Sequence, residues 1–126
     1  MNEEQKMVLE FHELFQLPIN TTPKIVGKDL HYLRVGLIDE EFKELKEAMA
    51  NKDLIKIADG LGDLLYVLYG TGISYGIDLA PIFAEIHRSN MSKGNPEVVR
   101  APNGKILKGE NWSPPDLTSL LTETPE

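Results

Sequence analysis

The chain has 126 residues, 41% of them hydrophobic, which is the size and apolar content of one ordinary globular domain and excludes both a disordered tail and a two-domain enzyme. Its formal net charge of -7 excludes a general nucleic-acid binder, because covering a phosphate backbone needs a basic footprint. The absence of cysteine removes disulfides, thiol nucleophiles and Cys-based zinc sites, and no apolar run is long enough for a signal segment or a membrane span, so a cytoplasmic protein is expected.

Taken in chain order, Met7, Val8, Phe11, Leu14 and Phe15 recur at helical spacing, predicting a first helix over 4–16 that closes at Leu17-Pro18. A turn-rich stretch, 19–23, leads to a second helix over Asp29 to Ala50. Asn51-Lys52-Asp53 is a short polar break with Asp53 as N-cap, so a third helix runs from Leu54 to Ser74 and ends at Gly76. That helix is apolar nearly all round, which describes an element buried on several sides. Asp78 and Pro81 open a fourth helix and Gly94 stops it.

Beyond it, the apolar stretches around Val99 and Ile106 flank Pro102-Asn103-Gly104, and Asn-Gly is a strong hairpin signal, with Trp112 as the ribbon's anchor. From Ser113-Pro114-Pro115 the composition turns Thr-, Pro- and Glu-rich, so 113–126 is expected to be a flexible tail on a domain spanning 1–112. The fold class is therefore all-α, a bundle of four to five helices with a short C-terminal β-hairpin. A domain this small leaves little room for a deep private pocket, so a site shared between subunits of a homodimer or a dimer of dimers is expected.

The carboxylates do not follow a solvated stripe. At about 100° per residue, Leu30, Leu33, Leu37, Leu45 and Ala48 share the core side of the second helix, and Glu41 and Glu44 fall on it too, with Glu40 at its edge. On the third helix Asp59, Asp63, Tyr66 and Gly70 form one narrow strip. If the two helices pack antiparallel across the short break, these acids meet at one level. Gathered carboxylates repel and raise one another's pKa, so compensating cations are implied. All-oxygen ligation selects Mg²⁺ or Mn²⁺, and Mg²⁺ suggests phosphate chemistry. Arg34, two turns before Glu41 on the same side, offers the bland alternative of an internal salt bridge. His12, His31 and His87 have no metal spacing, and Phe11 and Phe15 read as core.

The core stripe of the fourth helix turns polar at Asn90 and Lys93, and with Arg88, Lys105 and Lys108 this makes a local basic cluster suited to a triphosphate. Glu40-Glu41-Phe42-Lys43-Glu44, Ala58-Asp59-Gly60-Leu61-Gly62-Asp63-Leu64-Leu65-Tyr66-Val67, His87-Arg88-Ser89-Asn90-Met91-Ser92-Lys93 and Gly104-Lys105-Ile106-Leu107-Lys108-Gly109 together resemble the all-α nucleoside triphosphate pyrophosphohydrolases. The likeness covers most of residues 8 to 112 and is nearest the MazG-like branch labelled phosphoribosyl-ATP pyrophosphohydrolase-like. It implies a Mg²⁺-dependent enzyme releasing a nucleoside monophosphate and pyrophosphate.

The resemblance also implies Glu41, Glu44 and Asp63 as metal ligands, Glu40 as a ligand or as the base that orients water, and Asn90 and Lys93 near the substrate phosphates. Arg34, Tyr66, Lys105 and Lys108 complete the expected substrate-binding set. One position departs from the family pattern: Gly60 stands where a glutamate is usual, three before Asp63. Asp59 still shares the face of Asp63 and is expected to replace it as a ligand. The rival expectation is a non-catalytic helical oligomer whose acids pair with Arg34 and a partner's lysines.

Overall fold

The computed structural model describes residues 1–122. It is all-helical apart from one small hairpin: α1 Glu3–Leu14, α2 Lys28–Ala50, α3 Leu54–Tyr75, α4 Leu79–Met91, a 3₁₀ turn Ser92–Gly94, strands β1 Val99–Arg100 and β2 Ile106–Leu107, and a short α5 Thr118–Leu121. Among the described residues no helix is long and apolar enough to cross a membrane. The chain forms two compact units, Met1–Leu79 and the part from Ala80 onward, and each is described by itself.

In the first unit, local chemistry sets the helix ends. Asn2 caps α1 by accepting the Gln5 N–H at 2.8 Å, while Glu3 and Glu4 sit where the helix dipole favours anions. Asp53 caps α3 as expected, accepting the Lys56 N–H at 3.2 Å. Gly76 ends α3 in the left-handed region, at φ 71°, and a side chain there would collide with the Thr22 backbone. The connection before α2 runs over that same end: the Asn20 and Lys24 N–H groups donate to the Ile73 and Tyr75 carbonyls, and Asn20 Nδ2 to Ser74 O. Gln5, fully buried, ties α1 to the start of α4 by accepting from Leu79 N–H and donating to Ile77 O.

α2 and α3 make the most extensive helix pair, and α1 covers α3. The core is small: Val8, Leu45, Ala48 and Ile73 are the buried hydrophobic residues. α3 is not buried on several sides as its composition predicts, because Leu54, Leu61, Leu65 and Leu68 stay exposed within this chain. Phe11 and Phe15, expected in the core, are also exposed and instead meet each other at a tilt, ring centroids 4.6 Å apart.

In the second unit Val99 pairs with Leu107 and Arg100 with Ile106. The turn is longer than a two-residue Asn-Gly hairpin. Gly104 N–H closes a turn on Ala101 O and Gly104 itself takes φ 88°, so the residues between are Pro102 and Asn103, with glycine as the bulge that follows. Trp112 carries the Lys108 ammonium 4.1 Å above its ring. Ser113–Asp116, placed in the expected tail, are hydrogen-bonded to α4, and α5 follows; residues 123–126 of that tail lie outside the described residues.

Candidate active site

Two glycines set how closely α2 and α3 approach. Gly60 faces Leu45 and Gly70 faces Arg34, so the helices run antiparallel in a fixed register that brings Glu41 level with Asp63. Three further carboxylates lie near enough for their charges to act on Glu41. Burial pushes the Glu41 carboxyl above its ordinary range, and the neighbouring charges of Glu44, Asp63 and Glu40 push it further. Glu44 also lies within hydrogen-bonding reach of Glu41. Glu40 and Glu44 are exposed, Glu41 and Asp63 half-buried.

The oxygen Glu41 Oε2 is shut off from water and has no hydrogen-bond partner. A buried polar atom left without a partner costs about 1–3 kcal/mol, and more when it carries charge. Among the described residues no cation offsets it: Glu40, Glu41, Glu44, Asp59 and Asp63 form no ion pair there. The alternative in which Arg34 neutralises Glu41 is not what the fold builds.

Arg34 turns away from the acids. It is buried, with Nε donating to Thr71 Oγ1 at 3.1 Å and Nη2 to Val67 O at 2.6 Å, so its guanidinium fastens α2 to α3. It also shares a compartment with His12. Gly70 makes the room: a Cβ there would stand 2.5 Å from Arg34 Nη2 and 3.1 Å from His12 Nε2. The His12 Nδ1 lies 3.1 Å from Pro18 O, and burial, together with the nearby Arg34 charge, holds its pKa below the usual value.

Asp59 is not brought into the group. It is exposed and does not figure among the charges acting on Glu41. The register explains this, since residue 59 stands beside the Gly60–Leu45 crossing, about one turn from the level of Glu41. Gly60 is itself buried, and a Cβ on it would come 3.2 Å from the Leu45 Cα. Among the described residues no three Asp, Glu or His side chains stand together in a closed metal-ligand set.

Tyr66, one turn beyond Asp63 and 40% exposed, meets Phe11 edge-on at 5.5 Å. Helical periodicity found Tyr66 but not its α1 neighbours, whose exposure only the packing reveals. In the second unit Asn90 and Lys105 are exposed, Lys93 is half-buried, and Lys108 lies on Trp112.

A family model described as phosphoribosyl-ATP pyrophosphohydrolase matches residues 8–90. The chain belongs to that family. It thereby belongs to the MazG-like nucleoside triphosphate pyrophosphohydrolase superfamily. The matched stretch of this phosphoribosyl-ATP pyrophosphohydrolase family member holds all five acids, Arg34, Tyr66 and Asn90, and stops before Lys93 and the hairpin lysines. The family is named for pyrophosphohydrolase activity. A relative from Acanthamoeba polyphaga mimivirus, "Uncharacterized protein L479", is 42% identical over 74 residues, 56% of this chain. The chain spans 30% of that protein's length.

Proposed function

We propose that this chain is a Mg²⁺-dependent nucleoside triphosphate pyrophosphohydrolase that releases a nucleoside monophosphate and pyrophosphate. The observation that carries the reading is Glu41 Oε2, a buried and unpartnered carboxylate oxygen surrounded by the charges of Glu44, Asp63 and Glu40. Carboxylate oxygens suit a hard divalent ion, so the residues present fit Mg²⁺ or Mn²⁺, with Glu41, Glu44 and Asp63 as its ligands. When bound, the ion neutralises phosphate oxygens and eases formation of hydroxide. Asp59 is the weakest member of the set, since the register holds it apart.

The chain's own side chains divide the remaining work. Glu40, exposed beside the ligands, orients the attacking water and accepts its proton. Tyr66 with Phe11 offers an aromatic surface one turn from Asp63, suited to a nucleobase. Asn90, Lys93, Lys105 and Lys108 serve the triphosphate, the lysines stabilising the departing pyrophosphate. Arg34 contributes by holding α2 against α3 rather than by reaching the substrate.

The enzyme acts as a homodimer or a dimer of dimers. Leu54, Leu61, Leu65 and Leu68 are 78%, 51%, 54% and 41% exposed and recur at the 3–4 spacing of a helix-packing seam, and a second copy is the cover that composition demands.

The test is pyrophosphate release from a panel of nucleoside triphosphates and phosphoribosyl-ATP in Mg²⁺. Glu41→Gln and Asp63→Asn should abolish turnover and leave helical circular dichroism intact. Undiminished turnover in both variants would refute the assignment and favour a non-catalytic helical oligomer.

A further inference from the structure

The last two turns of α4 bear an unusual load for a surface helix. The buried residue of α4 is a serine, Ser89, at 3% exposure. Its Oγ donates to Ser113 O at 2.8 Å. One turn on, Ser92 Oγ accepts the Ser113 N–H at 2.8 Å and donates to Ser89 O at 2.6 Å. One residue back, Arg88 Nη2 donates to Pro114 O at 3.1 Å, and one turn back Glu85 Oε2, ion-paired through its carboxylate to Arg88, accepts the Asp116 N–H at 2.9 Å.

Residues 85, 88, 89 and 92 form one stripe, and everything on it grips the same four residues. Ser113-Pro114-Pro115-Asp116 has only two backbone N–H groups, because proline has none, and both are taken, one by Glu85 of α4 and one by Ser92 of the 3₁₀ turn that follows it. The two prolines also fix the segment's path, so little conformational entropy is lost on docking it.

This strap crosses the helix where Asn90 and Lys93 stand. Asn90 lies between Ser89 and Ser92, and Lys93 follows Ser92 directly. The Lys93 carbonyl is held in turn by the Gly109 N–H at 3.0 Å. A long, flexible lysine gains most from a backbone held in one place, because the freedom lost on meeting a phosphate is then smaller.

We propose that Ser89, Ser92, Glu85 and Arg88 are positioning residues, which clamp Ser113–Asp116 across α4 and thereby fix the placement of Asn90 and Lys93 for the triphosphate. The proposal rests on the phosphate-binding role given above to those two residues, and the test separates the two claims. In the full chain, KM and kcat for the best-hydrolysed nucleoside triphosphate are measured in Ser92→Ala, Ser92→Thr, Asn90→Ala and Lys93→Ala. Ser92→Ala should raise KM about tenfold with kcat within about twofold, and Ser92→Thr, which keeps the hydroxyl, should restore it. Glu85→Ala, which removes the acceptor of the Asp116 N–H, serves as the second variant should Ser92→Ala fail to fold, and should raise KM in the same sense. An unchanged KM in the strap variants beside a raised KM in Asn90→Ala or Lys93→Ala overturns the strap alone. An unchanged KM in Asn90→Ala and Lys93→Ala overturns the phosphate assignment, and the strap with it.

Discussion

Gly60 lies so close to Leu45 that a Cβ added to it would stand 3.2 Å from the Leu45 Cα and 3.3 Å from its Cβ. The pattern that this chain resembles has a glutamate at this position, and here the helix crossing occupies the space that its side chain needs. Gly60→Glu should therefore lower stability by about 1–3 kcal/mol through overpacking, and should not raise activity. Gly60→Ala gives the sharper sign. In an open helix position alanine is worth about 1 kcal/mol over glycine, so a fall in Tm, followed by circular dichroism, marks the contact as decisive. A rise would show that α2 and α3 part freely.

His12 makes the fold sensitive to mild acid. Burial chiefly, and the Arg34 charge after it, lower its pKa below 6.5, while the bond to Pro18 O opposes them. A base whose folded pKa is lowered takes up fewer protons folded than unfolded, so its contribution is complete above pH 6.5 and is lost as the pH falls below that value. Urea unfolding between pH 5 and 7 should show stability declining with acidification, and His12→Gln should flatten that decline. An equally steep slope in the variant would remove His12 as its cause.

The helix ends were legible because single residues specify them: Asp53 can cap and Gly76 can turn left-handed whatever the rest of the chain does. That Glu41 and Glu44 share one face of α2 followed from spacing alone, since residues three and four apart must share a helix face. Register did not follow. Whether Asp59 reaches the group depends on the Gly60–Leu45 contact, a property of two helices together, which the sequence of either helix does not contain. Likewise a cation two turns from an acid does not reveal that its partners are Thr71 and a carbonyl. The Ser-Pro-Pro stretch carries the composition of a tail, and only the α4 stripe opposite it gives its backbone groups partners.

Exposure of the α3 leucines predicts what a charge would do there. Leu65, 54% exposed in the chain, sits mid-seam between Leu61 and Leu68. Leu65→Glu should shift the assembly to monomers in sedimentation equilibrium, because a carboxylate in a two-fold interface faces its own copy and cannot be paired. The same substitution at exposed Leu14, which lies outside this seam, should leave the assembly mass unchanged. An unaltered mass in Leu65→Glu would place the subunit interface elsewhere.

Glu41 couples stability to metal with opposite signs in two buffers. Without divalent ions its ionised form is disfavoured by burial and by Glu44, Asp63 and Glu40, so its folded pKa is raised. An acid with a raised folded pKa weakens the fold as the pH climbs past its ordinary value of 4.5, and the penalty grows until the pH passes the raised folded value. Glu41→Gln removes the charge and keeps the shape, so in EDTA the variant should melt about 2–5 °C above the parent chain. In millimolar Mg²⁺ the order should reverse. The parent gains stability by binding the ion in the folded state only, by an amount that grows with the logarithm of ion concentration, and the variant gains little. The measurement is a Tm series against Mg²⁺ and Mn²⁺ at fixed ionic strength, with Ca²⁺ as a check on size. Parallel Tm curves for parent and variant would mean that Glu41 binds no ion, whatever the turnover assays show.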